Sequence, residues 1–369
     1  MTQQQWGQQP GRGWPQQPPQ QWQQTNWNRP PAQWPQQYPG QQFPVQQYPQ
    51  GPNRPPRKSG ALKLLLLGVV AVLAVGFFFI SLGNYLQGDE VAQPVPGASG
   101  DPTAPPEEVP PPDFNPPDLP MPRTYDEAEQ WLVNNAVYAE SVTVPTNCAL
   151  TEVDAVNASV AELEDHLNNL TACLWTVWHR PLEAAGFEMP RPPVTVYNQP
   201  ITTACGEQDD VNAIYCAGDQ RVYYAKPLYR IFPADVARIP FMPDTVIGHE
   251  FGHAIQARTG ILVSNIAFEQ QASDEKEKSD LSRRAEQQAD CLAGQFLQSV
   301  AQASGMTNSN IDGLQTVIAN IGDDVLSGKP GYVGDHGSSE ARTRWFNKGL
   351  SQTSIAQCNT WTAPSSQVR

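Results

Sequence analysis

Apolar residues are distributed along this 369-residue chain in three ways. Through residues 1–60 they occur singly, as aromatics among glutamine and proline (Trp14-Pro15-Gln16-Gln17, Trp34-Pro35-Gln36-Gln37, Tyr48-Pro49-Gln50). From Leu64 to Leu82 they are continuous, without a charge. Beyond residue 124 they become periodic. Helical spacing predicts helices near 124–139, capped by Thr124 or Asp126, then at 153–186, 243–259, 281–302, 309–326 and 338–350. A charged stretch, 269–284, leads into the fourth of these. Short β-rich runs predict strands at Val194–Tyr197, Ala213–Cys216 and Arg221–Ala225, the last two joined by a Gly-Asp turn. Helices dominate and the few strands cluster early, an α+β pattern: a mainly helical domain with a small sheet.

These regimes divide the chain into four parts. Residues 1–60 hold 19 Gln, 13 Pro and 5 of the 10 Trp, with no Asp or Glu. Such a segment buries too little apolar surface to offset its ordering entropy, so a disordered tail of polyproline II character is expected. Residues 61–83 contain the apolar run, whose length at about 1.5 Å per residue matches the roughly 30 Å of a bilayer's hydrocarbon. Residues 84–123 are rich in proline and acid and read as a stalk able to span on the order of 100 Å. Residues 124–369 suffice for one well-buried domain. Arg54, Arg57, Lys58 and Lys63 precede the apolar run, and the next basic residue is Arg123. The positive-inside rule then predicts a single-pass signal anchor in the cell membrane, with a cytoplasmic tail and an extracytoplasmic domain. The tail is free to dock a cytoplasmic partner.

Charge narrows the function classes. The first 63 residues carry six basic groups and no acid, which leaves 17 basic against 37 acidic residues beyond them, a net of −20. A domain so acidic is a poor partner for nucleic acid. All six cysteines (Cys148, Cys173, Cys205, Cys216, Cys291, Cys358) fall on the predicted outer side, where an even count points to disulfides. No two are spaced as C-x-x-C, which argues against a zinc ribbon.

The chemistry is concentrated in VIGHEFGHAIQ. His249, Glu250 and His253 form H-E-x-x-H, and on a helix the two imidazoles share a face and can bind one metal ion. Glu250 then lies where a carboxylate can take a proton from metal-activated water. Two histidines leave a zinc site one protein ligand short. Gln256 and Thr259 stand where a metzincin would place Gly and His, so the third ligand must come from farther along. In RRAEQQADCLAGQF, Ala285, Ala289, Leu292 and Phe296 make an apolar stripe, with Glu286 and Asp290 beside it. Acids so close to a buried stripe need a reason, and a metal supplies one. Glu286 is assigned as the ligand and Asp290 as the group that orients a ligand histidine, with Asp290 as ligand the alternative. His336, in GDHGSSEARTRWF, is the choice for an oxyanion donor, with Tyr223, Tyr224 and Tyr332 as competitors. The strand RVYYA, carrying Tyr223 and Tyr224, is the candidate to hold substrate backbone. His166 and His179 lie in ordinary helical surroundings and read as structural.

With these residues in hand, the segments YCAGDQRVYY, VIGHEFGHAIQARTG, RRAEQQADCLAG and HGSSEARTRWFNKG make the domain resemble the bacterial neutral zinc metallopeptidases. The resemblance implies a zincin-like fold, one Zn2+ and hydrolysis of peptide bonds in a peptide or protein substrate. It carries over His249, His253 and Glu286 as ligands, Glu250 as general base, Asp290 behind the ligands, and a catalytic or substrate role for His336. It also implies a Cys205–Cys216 disulfide, leaving Cys291–Cys358 and Cys148–Cys173. The expected function is a membrane-anchored, extracytoplasmic zinc endopeptidase. Two other readings stand beside it: a catalytically silent envelope-binding module on the same fold, and an interaction protein whose main business is the tail.

Overall fold

The computed structural model describes residues 91–93, 108–145, 147–209 and 211–369. The tail, the apolar run Leu64–Leu82 and much of the proline-rich stretch lie outside them. Among the described residues no helix is long and apolar enough to cross a membrane.

The element that organises the domain is buried along its whole length. It is the helix Met242–Arg258, called α3 here, which follows α1 (Tyr125–Val133) and α2 (Val160–Ala184). Polar residues such as Asp244, His249, Glu250 and Gln256 are buried with the apolar ones, so neighbours must satisfy them. The helix α4 (Ile261–Gln271) follows at once, then the long α5 (Glu275–Ala301). Helix α3 crosses α5 at a glycine. A Cβ on Gly252 would stand 2.9 Å from the Ala289 Cα, so only hydrogen lets the backbones approach this closely. The other face of α5 receives α8 (Ser339–Leu350), where Gly349 lies against the backbone of Cys291. Between them come α6 (Asn308–Asn320) and the single turn α7 (Asp323–Leu326).

The sheet is small. Its order is β1-β5-β4, with β1 (Val194–Tyr197) parallel to β5 (Arg221–Ala225), and β4 (Ala213–Cys216) antiparallel to β5. A separate hairpin, β2 (Ile201–Thr203) and β3 (Gly206–Gln208), is tied to β4 by Cys205–Cys216. Cys148–Cys173 and Cys291–Cys358 complete three disulfides, and among the described residues no cysteine is free. The architecture is mostly helical with one small sheet, and the three predicted strands fall where the sequence pattern set them. Helix α1 is capped by Thr124, and α2 opens on a Ser159–Glu162 capping box. The expected helix at 309–326 is broken at Ile321–Gly322 into α6 and α7. Part of the charged stretch 269–284 is the exposed first turns of α5, capped by Asp274.

Residues 108–123, which composition groups with the stalk, run along the domain instead of away from it. The buried Arg191 donates to the Pro110 carbonyl at 3.1 Å, and the Asp113 N–H donates to the Arg191 carbonyl at 2.8 Å. The Pro117 carbonyl accepts from Arg258 at 2.9 Å and from Gln220 at 2.8 Å. Val109 and Leu119 pack on the core, and the Arg221 guanidinium lies 5.0 Å over the Phe114 ring. Proline supplies carbonyls without competing N–H groups, which suits a strap held by arginine donors. A chain beginning at residue 124 therefore leaves two buried arginines short of acceptors. It should be less stable than one beginning at 108 by about 2 kcal/mol or more, a fall in thermal midpoint on the order of 5 °C. Calorimetry on the two truncations checks this; equal midpoints would contradict it.

Candidate metal centre

Helix α3 carries His249 and His253 one turn apart, with their Nε2 atoms 3.2 Å from each other. Helix α5 brings Glu286 to both. Its Oε2 lies 3.3 Å from His249 Nε2, and its Oε1 lies 3.3 Å from His253 Nε2. Three donors at near-equal spacing are what an ion imposes: tetrahedral ligands about 2.0–2.1 Å from zinc stand roughly 3.3 Å apart. All three side chains are buried, and Glu286 is 1% exposed. Its Oε1 is a buried oxygen with no hydrogen bond, an arrangement that costs free energy unless a cation completes it. The donor set, two imidazoles and one carboxylate, suits zinc and leaves a fourth position for water or substrate.

The remote nitrogens are equally defined. His249 Nδ1–H donates to Asp290 Oδ1 at 2.8 Å, and His253 Nδ1–H donates to Gln256 Oε1 at 2.9 Å. Gln256 is held the right way round because its amide nitrogen donates to the Ala285 carbonyl and to Gln288 Oε1. Each imidazole thus turns its Nε2 lone pair toward the ion. Asp290 is in turn gripped by Arg342 of α8, Nε to Oδ2 at 2.8 Å and Nη2 to Oδ1 at 2.9 Å, while Nη1 donates to the Ile321 carbonyl at 3.0 Å. Without a metal, burial works against a charged His249, but Asp290 and Glu286 outweigh it and lift its pKa to about 10. Burial also opposes the charge on Glu286, yet His253 and His249 hold its carboxyl well below the usual range. The pocket is built for positive charge.

Glu250, the residue after His249 on α3, is buried within electrostatic reach of both histidines and of Glu286. Its Oε2 accepts the Tyr215 N–H of β4 at 2.7 Å, and burial raises its pKa against the pull of the two histidines. A carboxyl so raised holds a proton more readily than an exposed carboxylate does.

His336 lies in the loop before α8, with its side chain 39% exposed and Nδ1 3.5 Å from Asp323 Oδ1. Its carbonyl accepts from Gln287, the residue after Glu286, at 3.0 Å. Tyr223 and Tyr224 are corrected as substrate-strand residues. Their strand β5 is flanked by β1 and β4, so both of its hydrogen-bonding edges are taken. Tyr224 is wholly buried, and the Tyr223 hydroxyl bonds Asp219 at 2.6 Å. Of the two outer strands, β1 has its free edge bonded by the side chains of Asn168 and Glu164, so the open edge is that of β4. His166 pairs with Asp244 at 3.0 Å, and His179 stacks on Trp175 while its Nδ1–H donates to the Trp175 carbonyl, both structural placements. Sequence reasoning missed Arg342, Gln256 and Asp323 as supports of the site. Only Gln256, one turn from His253 on the same helix, was within reach of a spacing argument.

The model of the family described as "Putative neutral zinc metallopeptidase" matches residues 136–361. This chain belongs to that family. Among similar proteins is YpfJ of Escherichia coli K12, 30% identical over 214 residues, which cover 55% of this chain and 74% of YpfJ. Rv2575 of Mycobacterium tuberculosis H37Rv and Mb2605 of Mycobacterium bovis are 26% identical over 191 residues, covering 47% of this chain and 63% of each relative. All three are described as uncharacterized. No solved structure matches the chain. Family membership and the His249–His253–Glu286 triad together make zinc the cofactor.

Two expectations follow from this family site. The purified full-length protein should hold about one zinc per chain; Glu286→Ala should lose it, and Asp290→Asn should weaken it by roughly 10–100-fold. Metal analysis after graded chelation reads both, and unchanged zinc in Glu286→Ala would contradict the ligand set. The second concerns Glu269 of α4, which accepts from Asn265 at 2.7 Å and is lifted to about 7, chiefly by burial. Its folded pKa lies above its unfolded one, so the fold loses stability as pH rises through that interval. Glu269→Gln should therefore match wild type below pH 4.5 and exceed it at pH 8 by on the order of 1–3 kcal/mol. Melts at the two pH values check the sign.

Proposed function

We propose that the protein is a zinc endopeptidase acting outside the cytoplasm, held at the membrane by Leu64–Leu82. The carrying observation is the buried His249–His253–Glu286 triangle, with Glu250 on the same helix fixed by the Tyr215 N–H. The three cysteine pairs at bonding distance support an oxidising compartment. The basic cluster before the apolar run supports the outward orientation of the domain.

Zinc bound at the triad supplies Lewis acidity, acidifying a water and polarising the peptide carbonyl. Glu250 accepts the proton of the attacking water and delivers it to the leaving amine. Tyr215 keeps one Glu250 oxygen engaged, so the other is the one presented to water. His336 donates to the oxygen that gains charge as the carbonyl becomes tetrahedral. Asp290 and Gln256 hold the imidazoles against rotation.

Substrate backbone is met by β4. The Tyr215 N–H points away from β5, toward Glu250, and antiparallel alternation puts the N–H and C=O of Ala213 on that same open edge. A peptide added antiparallel to β4 pairs there by strand addition.

Glu250→Gln should keep its zinc and lose peptide cleavage by on the order of 10²–10⁴-fold. The assay is digestion of a mixed peptide library by zinc-loaded full-length protein, read by mass spectrometry. Equal cleavage by the variant would overturn the mechanism. Zinc binding with no turnover in wild type would favour the binding-module reading.

A further inference from the structure

The loop that carries His336 is wrapped around one carboxylate. Asp323 opens α7, and its Oδ2 accepts three backbone N–H groups: Gly334 at 2.8 Å, His336 at 3.1 Å and Gly337 at 2.7 Å. Its own N–H donates to the Gly337 carbonyl at 2.9 Å, which closes the turn from both sides. The second oxygen, Oδ1, faces His336 Nδ1 at 3.5 Å. Gly337 allows the turn by its positive φ of 95°. The neighbouring Asp324 accepts the Ser339 N–H at 2.8 Å and the Ser339 hydroxyl at 3.1 Å, tying the loop to the first turn of α8. From the other side the buried Gln287 holds the His336 carbonyl. The turn that carries the imidazole is thus fixed in backbone by five hydrogen bonds, and the ring faces one carboxylate. Burial opposes the Asp323 charge, but His336 and the Gly337 N–H hold its carboxyl below the ordinary range, so the charge is present at neutral pH.

We infer that Asp323 is the positioning residue for His336: it clamps the 334–337 turn and orients the imidazole through Nδ1, so that Nε2 faces the reacting carbonyl. The inference rests on the peptidase reading given above. It also explains why a half-exposed histidine on a loop is tied so closely to α5, the helix of Glu286. A residue that only closed the loop would need the three N–H contacts but not the oxygen turned to the ring.

The test is a double-mutant cycle on zinc-loaded full-length protein: wild type, Asp323→Asn, His336→Ala and the double variant. Asparagine keeps an acceptor for the turn and removes the anion beside Nδ1. Asp323→Asn should lower kcat on the order of tenfold, part of the 10²–10⁴ assigned to a positioned proton donor. KM should stay within about twofold, since the variant leaves substrate pairing with β4 untouched. In the His336→Ala background the same substitution should cost less than about twofold, because its effect passes through the missing ring. Equal losses in both backgrounds would show a purely structural clamp and overturn the inference while leaving the peptidase reading intact. A wild type without peptide cleavage would overturn both. Should Asp323→Asn fail to melt cooperatively, Asp323→Ser takes its place in the cycle, since its hydroxyl also keeps an acceptor and removes the anion, with the same two outcomes.

Discussion

The domain depends on a line of buried charge. Glu286, His249, Asp290 and Arg342 follow one another through the buried contact of α3, α5 and α8, and each is compensated by its neighbour. Burying any one alone would cost several kcal/mol. Together they weld three helices into one frame, and the two ends of the line differ in kind. At one end Arg342 is a permanent cation with its donors placed on Asp290 and the Ile321 carbonyl. At the other Glu286 keeps an oxygen that no side chain hydrogen-bonds. The frame is closed on the Arg342 side and open on the metal side.

The helix packing exists to bring these groups that close. Gly252 lets α3 reach Ala289, one residue before Asp290, and Gly349 lets α8 reach Cys291, one residue after it. Asp290 is therefore bracketed by two near-backbone contacts, with its carboxylate between His249 and Arg342. The Cys291–Cys358 disulfide fastens the same stretch of α5 to the segment after α8. The sheet touches this frame through the Tyr215 N–H on Glu250.

What the chain revealed in advance was whatever repeats over one or two turns. His249, Glu250 and His253 are spaced on one helix, and the apolar stripe from Ala285 to Phe296 located Glu286 and Asp290 beside it. The partners of those residues were hidden because they are distant in sequence. Arg342 reads as an ordinary charged position in SEARTRWF, and only the close approach of α8 to α5 buries it. The strand holding Tyr223 and Tyr224 was found, but its place in the sheet was not, since the parallel pairing of β1 with β5 joins residues nearly thirty apart and leaves no local trace. Helix α4 escaped because Ser264, Asn265 and Glu269 are buried along with Ile261 and Val263, which erases the polar–apolar contrast that marks a surface helix. Residues 108–123 looked like linker because proline content says nothing about whether arginines wait for the carbonyls.

The position of Arg342 also has a consequence in time. Chains are made from one end, so His249, His253, Glu286 and Asp290 all emerge well before residue 342. A partly emerged chain carries every metal ligand but holds Asp290 beside them without its counter-ion, a fold that burial penalises. Helix α8 is thus the keystone of assembly: the centre closes only when the domain is nearly complete, and an unfinished chain holds its ligands in a frame that has not yet locked.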